Sequence, residues 1–268
     1  MVELSSTRIT ESYDLDRRFG GVVRLYGVAG AQKIFKAHVV VVGIGGVGSW
    51  VVEALARSGV GHLTLIDMDH IAESNINRQI HSLSRTLGQS KCQAMKDRVL
   101  EIHPLCEVQI VDDFVQPKNW LEMVSTIVQP IDFLIDACDQ VSAKVSLATW
   151  SIQSQVKMVC IGAAGGKKRP DLMQMDDLLS VTHDPMLAKL RYSLRKDGIL
   201  SKEAKKSSIQ CVFSKEEILS PWMIEQEAES INVSGRGDLN CHGFGSSVTV
   251  TASFGLCAAA WVLDLLSK

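Results

Sequence analysis

Four side chains set the chemistry open to this chain: Arg78, Gln79, Lys91 and Asp139. Arginine forks two parallel N–H donors onto a phosphate or carboxylate, and lysine supplies a point charge. An aspartate beside them can hold Mg²⁺ against a polyphosphate. Arg78 and Gln79 end the cluster Asp69-His-Ile-Ala-Glu-Ser-Asn75-Ile-Asn77-Arg78-Gln79, and Lys91 ends Gly88-Gln-Ser-Lys91 at the start of a helical stretch. A lysine in the first turn of a helix opposes the helix dipole unless an anion sits there. The competing readings are a plain surface lysine at 91 and, for Asp139, a cap on the helix that follows. Together the set can neutralise a triphosphate and the charge that develops when a nucleophile attacks it.

Such residues need a frame, and residues 38–79 supply one. Valines fill 39–42 and run into Gly43-Ile-Gly45-Gly46-Val-Gly48. An apolar run closed by glycine reads as a strand buried on both faces. Residues 49–57 carry apolar side chains at helical spacing, and 63–66 form a second buried strand ending in Asp67, 19 residues after Gly48. In a nucleotide-binding βαβ unit, glycines let the backbone approach phosphate at a helix start, and the acid accepts from a ribose diol. A tight turn without a ligand is the alternative. The motif alone leaves NAD, FAD, S-adenosylmethionine and ATP open. The cluster 69–79 narrows the choice: it sets an arginine and amides beyond the carboxyl ends of the first two strands, where ligands of open α/β sheets bind. Hydride transfer has no use for it.

Further apolar runs at 108–111, 131–135 and 157–161 alternate with helical stretches at 91–102, 117–128 and 141–155. This alternation predicts an α/β fold with a Rossmann-like, doubly wound, mostly parallel sheet and helices on both faces. A frayed tail over 1–12 and a helical lead-in over 13–36, with Arg17, Arg18 and Arg24, precede it. Past the core, 184–195 reads as an amphipathic helix with Lys189, Arg191 and Arg195 on its polar side. Residues 197–208 read as a mobile connection, 209–213 as a short strand, and 216–237 show no clear period. Residues 244–263 carry no charge and approach the ~20 residues of a membrane span. Ser246, Ser247, Thr249, Thr251, Ser253 and Gly255 suit tight protein packing instead, so a buried apolar helix closing a C-terminal extension is expected, with membrane association the alternative.

With an apolar fraction of 46% the chain can bury a real core, and a net charge of −2 gives no global field to recruit nucleic acid. An RNA partner needs a local patch, and Lys167, Lys168 and Arg169, after the glycines of 162–166, are the candidates; a solvated loop is the alternative. Seven scattered cysteines without a C-x-x-C pair argue against a disulfide framework and a four-cysteine zinc site, and for a reducing, cytoplasmic setting. The polar N-terminus does not read as a secretory signal.

Asn75-Ile-Asn-Arg78-Gln79, with the glycine turn, Lys91 and Asp139, resembles the activating-enzyme superfamily. That group includes the thiamine- and molybdopterin-biosynthesis adenylyltransferases of the ThiF/MoeB type and the ubiquitin activators. Arg18-Phe-Gly-Gly, Leu65-Ile-Asp-Met-Asp69, Asn77-Arg-Gln-Ile-His81, Val111-Asp-Asp-Phe-Val115 and Cys211-Val-Phe-Ser214 extend the likeness over nearly the whole chain. They are similar to the branch that dehydrates threonylcarbamoyladenosine in tRNA. The resemblance implies ATP and Mg²⁺ as cofactors. It places Gly43, Gly45, Gly46 and Gly48 at the nucleotide turn, Asp67 on the ribose, and Asp69 among the ATP-binding residues. It assigns Asn75, Arg78, Gln79 and Lys91 to the phosphates and Asp139 to the metal. It also implies one adenylating domain over 1–268, with a nucleotide-binding core at about 18–165, a substrate and dimer extension at about 166–268, and a homodimer acting on tRNA. The threonyl carboxylate would be activated as an acyl-adenylate, and an internal carbamoyl oxygen would then close a ring.

Two departures stand out. Gly21 occupies the place of a lead-in arginine that reaches ATP across the superfamily's dimer, so Arg18 or Arg24 would have to substitute. The zinc cysteines of many relatives are absent. Two other functions fit the same frame. One is activation of a small sulfur-carrier protein's C-terminus, with Cys241 beside His242 as acyl acceptor, against the reading of Cys241 as a buried, inert thiol. The other is a non-catalytic scaffold for a sulfur-relay partner of the cysteine desulfurase or acceptor type.

Overall fold

The computed structural model describes residues 14–218 and 244–268. Strands β1 (His38–Val42), β2 (His62–Ile66), β3 (Glu107–Val111), β4 (Phe133–Asp136), β5 (Lys157–Ile161), β6 (Met173–Asp177) and β7 (Ile209–Ser214) form one sheet. Their order is β3-β2-β1-β4-β5-β7-β6. All neighbours run parallel except β6, which is antiparallel to β7. The winding reverses between β1 and β4, so the carboxyl ends of these two strands open a crevice. The Rossmann-like fold class expected from the alternating pattern is the fold observed.

β1 shows why the valine run is needed. All five of its residues are buried. Side chains of a strand alternate between faces. Val39 and Val41 join one apolar cluster with Val51, Leu55, Phe254 and Ala258. Val40 and Val42 join the other with Trp120, Leu147, Leu187 and Leu194. The helices that cover the two faces are α1 (Leu15–Lys36), α2 (Gly48–Arg57), α3 (Lys91–Ile102), α4 (Trp120–Ser125), α5 (Val141–Ser154), α6 (Pro185–Lys196) and α7 (Val248–Leu266).

Three details differ from the pattern reading. α4 is shorter than 117–128: the Asn119 side chain accepts from Gln116 N (2.8 Å) and donates to Phe114 O (2.9 Å), holding the chain as a turn before the helix. β6 was not expected; its Met-Gln-Met-Asp-Asp sequence is poor in strand formers and sits at the sheet edge. The connection 197–208 is anchored, with Leu200 buried and Ser207 N bonded to the Asp177 carboxylate at 2.9 and 3.0 Å.

α7 is long and apolar enough, by length and composition, to cross a membrane. Instead Val250, Thr251, Phe254, Gly255, Ala258, Ala259, Val262 and Leu263 are buried within the fold. A Cβ added at Gly255 would lie 2.6 Å from the Val47 carbonyl oxygen and 3.0 Å from Trp50 Cβ. The small residue lets α7 press on the start of α2.

Candidate nucleotide site

The turn between β1 and α2 is built by its glycines, in two different ways. Gly43 has φ 84°, and a Cβ there would meet the Ala137 carbonyl and Cys138 N at 2.9 Å; at Gly48 it would meet Gly43 O at 1.8 Å. Those two glycines let the turn pack on itself and on the exit of β4. Among the described residues, a Cβ at Gly45 meets nothing nearer than Gln79 Nε2 at 3.9 Å, and at Gly46 nothing nearer than the stem of Arg78 at 3.2 Å. Gly45 and Gly46 therefore present bare backbone toward Gln79 and Arg78. Val47, the N-cap of α2, offers no side-chain acceptor, so the helix start stays open to an anion.

Asp67 ties the end of β2 to this turn. Its Oδ2 accepts from Ile44 N at 2.7 Å and its Oδ1 from Asp69 N at 2.8 Å. Burial pushes its pKa up, against the pull of the Lys91 charge and the two N–H groups. Asp69 pairs with Lys91, whose Nζ lies 2.6 Å from Asp69 Oδ2 and whose side chain is only 8% exposed. Lys91 is thus no free surface lysine. Its backbone N also bonds Asp69 O at 3.0 Å, which docks the start of α3 beside the crevice.

The remaining cluster residues sit on a loop excursion between β2 and α3. Arg78 donates from Nη1 to Ser74 O (2.8 Å) and to Asn77 Oδ1 (2.9 Å), while its own carbonyl accepts from Trp50 Nε1 (2.9 Å). The Arg78 stem is thereby held over Gly46. Asn75 Oδ1 accepts from Ala72 N at 3.0 Å and closes a short 3₁₀ turn. Asn77 Nδ2 donates to Ser246 O at 3.0 Å, linking the excursion to the lead-in of α7. Gln79 is buried, its Oε1 accepting from Ser82 Oγ at 3.4 Å.

Asp139 is exposed just beyond β4. Gln140 is the N-cap of α5 and makes no side-chain cap, so Asp139 does not cap the helix. The open lone pairs of an exposed carboxylate at this edge suit Mg²⁺ against a phosphate chain. A buried ion pair, which the sequence reading missed, holds its turn. Asp136 Oδ1 accepts from Cys138 N (3.1 Å) and Cys138 Sγ (2.8 Å). Lys144 Nζ donates to Asp136 Oδ2 (3.1 Å) and Ile161 O (2.8 Å), and both side chains are fully buried. Burial alone would push the Lys144 pKa down; the Asp136 carboxylate reverses this and raises it. A signal existed, because Lys144 lies on the same helical stripe as Leu147, Ala148 and Ser151.

Other expected residues fall elsewhere. Lys167 is 2% exposed and its Nζ donates to Ser214 O at 3.2 Å, so it is withdrawn from the set of RNA contacts. Burial pushes its pKa down. Arg169 is neutralised by Asp171, Nε to Oδ1 at 2.7 Å. Only Lys168 of the three remains exposed and outside an ion pair among the described residues. Arg18 Nη1 donates to Ile102 O at 2.8 Å and Glu101 O at 3.3 Å, at the C-terminal end of α3. Arg24 is exposed on α1. Cys241 and His242 lie outside the described residues.

An uncapped helix start, bare glycine backbone, and two cations and three acids about one crevice define a nucleotide-binding α/β protein. The ThiF family model matches residues 17–268, and the chain belongs to that family. It is 44% identical to the tRNA threonylcarbamoyladenosine dehydratase of Haemophilus influenzae, over 94% of each chain. It is 41% identical to the Escherichia coli protein of the same name, over 92% of each. The crystal structure of that E. coli enzyme, TcdA, in complex with ATP matches with a TM-score of 0.83 at 39% identity, covering 95% of this chain and 96% of that one. The adenylyltransferase and sulfurtransferase MOCS3 of Drosophila persimilis is 30% identical over 47% of this chain and 27% of its own length.

Proposed function

We propose that this protein is an ATP-dependent dehydratase that cyclises threonylcarbamoyladenosine in tRNA. The observation that carries this reading is the near-full-length likeness to dehydratases of that name, one of them crystallised with ATP. The crevice of this chain supports it, with Gly45 and Gly46 bare, Arg78 above them, and Lys91 and Asp139 on either side of the β1–β4 switch point.

A free carboxylate has a poor leaving group and a charge that repels nucleophiles. Adenylation removes both faults. A threonyl carboxylate oxygen attacks the α-phosphorus of ATP, and the bond to pyrophosphate breaks. Two anions must meet for this, so Arg78 and Lys91 neutralise charge as it develops. Lys91 has three ammonium donors and Asp69 takes one, leaving two for phosphate oxygens. Asp139 would hold Mg²⁺, which adds Lewis-acid stabilisation of the phosphates when bound. The tethered carbamoyl group then attacks the acyl carbon, AMP departs with one carboxylate oxygen, and a proton goes to solvent. The balance is loss of water, and tethering supplies much of the second step. Asp67 takes the ribose, while Asn75 and Gln79 keep the loop under the phosphates. A homodimer in the cytoplasm completes the proposal. The carrier-protein reading has a narrower base, a likeness over 47% of the chain.

The test is mass spectrometry of nucleosides from tRNA incubated with ATP and protein. Threonylcarbamoyladenosine should lose the mass of one water, with AMP and pyrophosphate formed in equal amounts. Arg78→Ala should lower kcat/KM by about 10²–10³-fold, as for the loss of one charge-stabilising donor. An unchanged nucleoside with the wild-type protein sinks the reading.

A further inference from the structure

The expected RNA patch at 167–169 reduces to Lys168, yet a tRNA substrate needs a surface that binds phosphates. One stretch has the charge. Residues 185–208 hold seven basic and two acidic residues, a net charge of +5 in a chain whose total is −2. Arg191 is spent on the fold, its Nη1 donating to Leu178 O and Val181 O at 3.0 and 2.9 Å. The other six, Lys189, Arg195, Lys196, Lys202, Lys205 and Lys206, are exposed, and none joins an ion pair among the described residues. Tyr192, 68% exposed, stands among them on α6.

Where this stretch lies gives the charge a direction. α6 begins at Asp184, whose Oδ2 accepts from Ala163 N (2.8 Å) just past the carboxyl end of β5. That is the sheet edge on which the crevice opens. Twelve residues then carry α6 away from that edge, about 18 Å at the rise of an α-helix. The chain doubles back, with Ile199 N and Leu200 N bonding Leu194 O at 2.9 and 3.0 Å, and Ser207 is fixed to Asp177. The three loop lysines are thus kept near the last turn of α6. A tRNA that places one base in the crevice must lay the rest of its backbone on the protein. Lys189 along α6 and the five cations gathered about its far end meet that need, because phosphate contacts give position and affinity without reading sequence. An exposed aromatic in a basic field adds a face for an unpaired base to stack on.

We propose that the outer face of α6 and the loop 197–208 form the tRNA-docking surface of this protein, with Tyr192 stacking on an unpaired base. This rests on the function proposed above. The test uses the full chain and two charge-neutralised variants, Arg195→Gln/Lys196→Gln and Lys202→Gln/Lys205→Gln/Lys206→Gln. Binding of tRNA bearing threonylcarbamoyladenosine is measured across a salt series. Each variant should bind about tenfold more weakly, with a log–log salt slope shallower by about 1–2. KM for tRNA should rise while kcat at saturating tRNA and KM for ATP stay at the wild-type values. Tyr192→Ala should lose about tenfold in tRNA affinity and Tyr192→Phe almost none, since stacking needs only the ring. Wild-type affinity and slope in both charge variants would overturn the proposal, as would a loss confined to Lys168→Gln. If wild-type protein leaves the nucleoside unchanged yet the variants lose tRNA binding, the reaction is misassigned and the docking surface stands.

Discussion

His81 is 3% exposed, and neither of its ring nitrogens reaches a hydrogen-bond partner among the described residues. Burial first, and then the charges of Lys91 and Arg98, push its pKa down to about 4. His38 and His103 are shifted the same way, burial again leading. An imidazole in the unfolded chain titrates near 6.5. Between these values the unfolded chain binds a proton that the folded one refuses. The stability linked to His81 is therefore fully present above pH 6.5 and is lost as pH falls toward 4, by up to ~3 kcal/mol. His81→Phe should flatten that acid limb, with urea midpoints at pH 7.5 and 4.5 closer together than in the wild type. A limb as steep as before would show that His81 is not its source. The neutral ring also adds no third cation beside Lys91 and Arg98.

At the scale of elements, the glycine turn depends on a helix far away in sequence. Gly255 of α7 abuts the Val47 carbonyl at the N-cap of α2, and Trp50 of α2 bonds the Arg78 carbonyl. One packing contact thus carries the height of α2, the open helix start and the placement of Arg78. Gly255→Ala forces a shift at a 2.6 Å approach, with an expected cost of about 1–3 kcal/mol. Calorimetric ATP titration should show weaker binding than in a control, Ala260→Gly, on the exposed face of the same helix. Equal ATP affinity in the two variants would uncouple α7 from the turn. This dependence was only half legible in the sequence. The small residues of α7 announced close packing, and the valine run, glycine turn and Asp67 announced the βαβ unit. Neither named its partner, because periodicity reports a buried face and not what it meets. Lys144 was hidden for a related reason: a charged residue on an apolar stripe reads as an interruption until its buried counter-ion is known. The basic run 167–169 reads as a patch in the sequence because adjacency there does not report exposure. Lys167 turns inward, and Asp171, two residues after Arg169, cancels its charge.

For the molecule as a whole, the sheet cuts across the boundary that the motifs suggest. The nucleotide motifs end near residue 165, yet β7 pairs with β5 over four residues, from Met158–Ile209 to Ile161–Val212. α7, still later in the chain, joins the apolar cluster on β1. A fragment stopping near 165 would expose the edge of β5, with Val159 and Cys160 fully buried in the intact sheet, and would strip one face of β1 of its cover. An unpaired apolar strand edge is an aggregation hazard. We infer that the described residues, 14–218 and 244–268, form one cooperative unit and not a core with a dispensable extension. Urea unfolding followed by far-ultraviolet circular dichroism, and by fluorescence of Trp120 in one cluster and Trp261 beside the other, should give coincident single transitions. Limited proteolysis should leave no stable fragment near 18–165. Two resolved transitions, with the fluorescence of one tryptophan lagging the other, would show instead that the later residues fold and fail on their own. The nucleotide turn would then have to survive without α7 pressed against it.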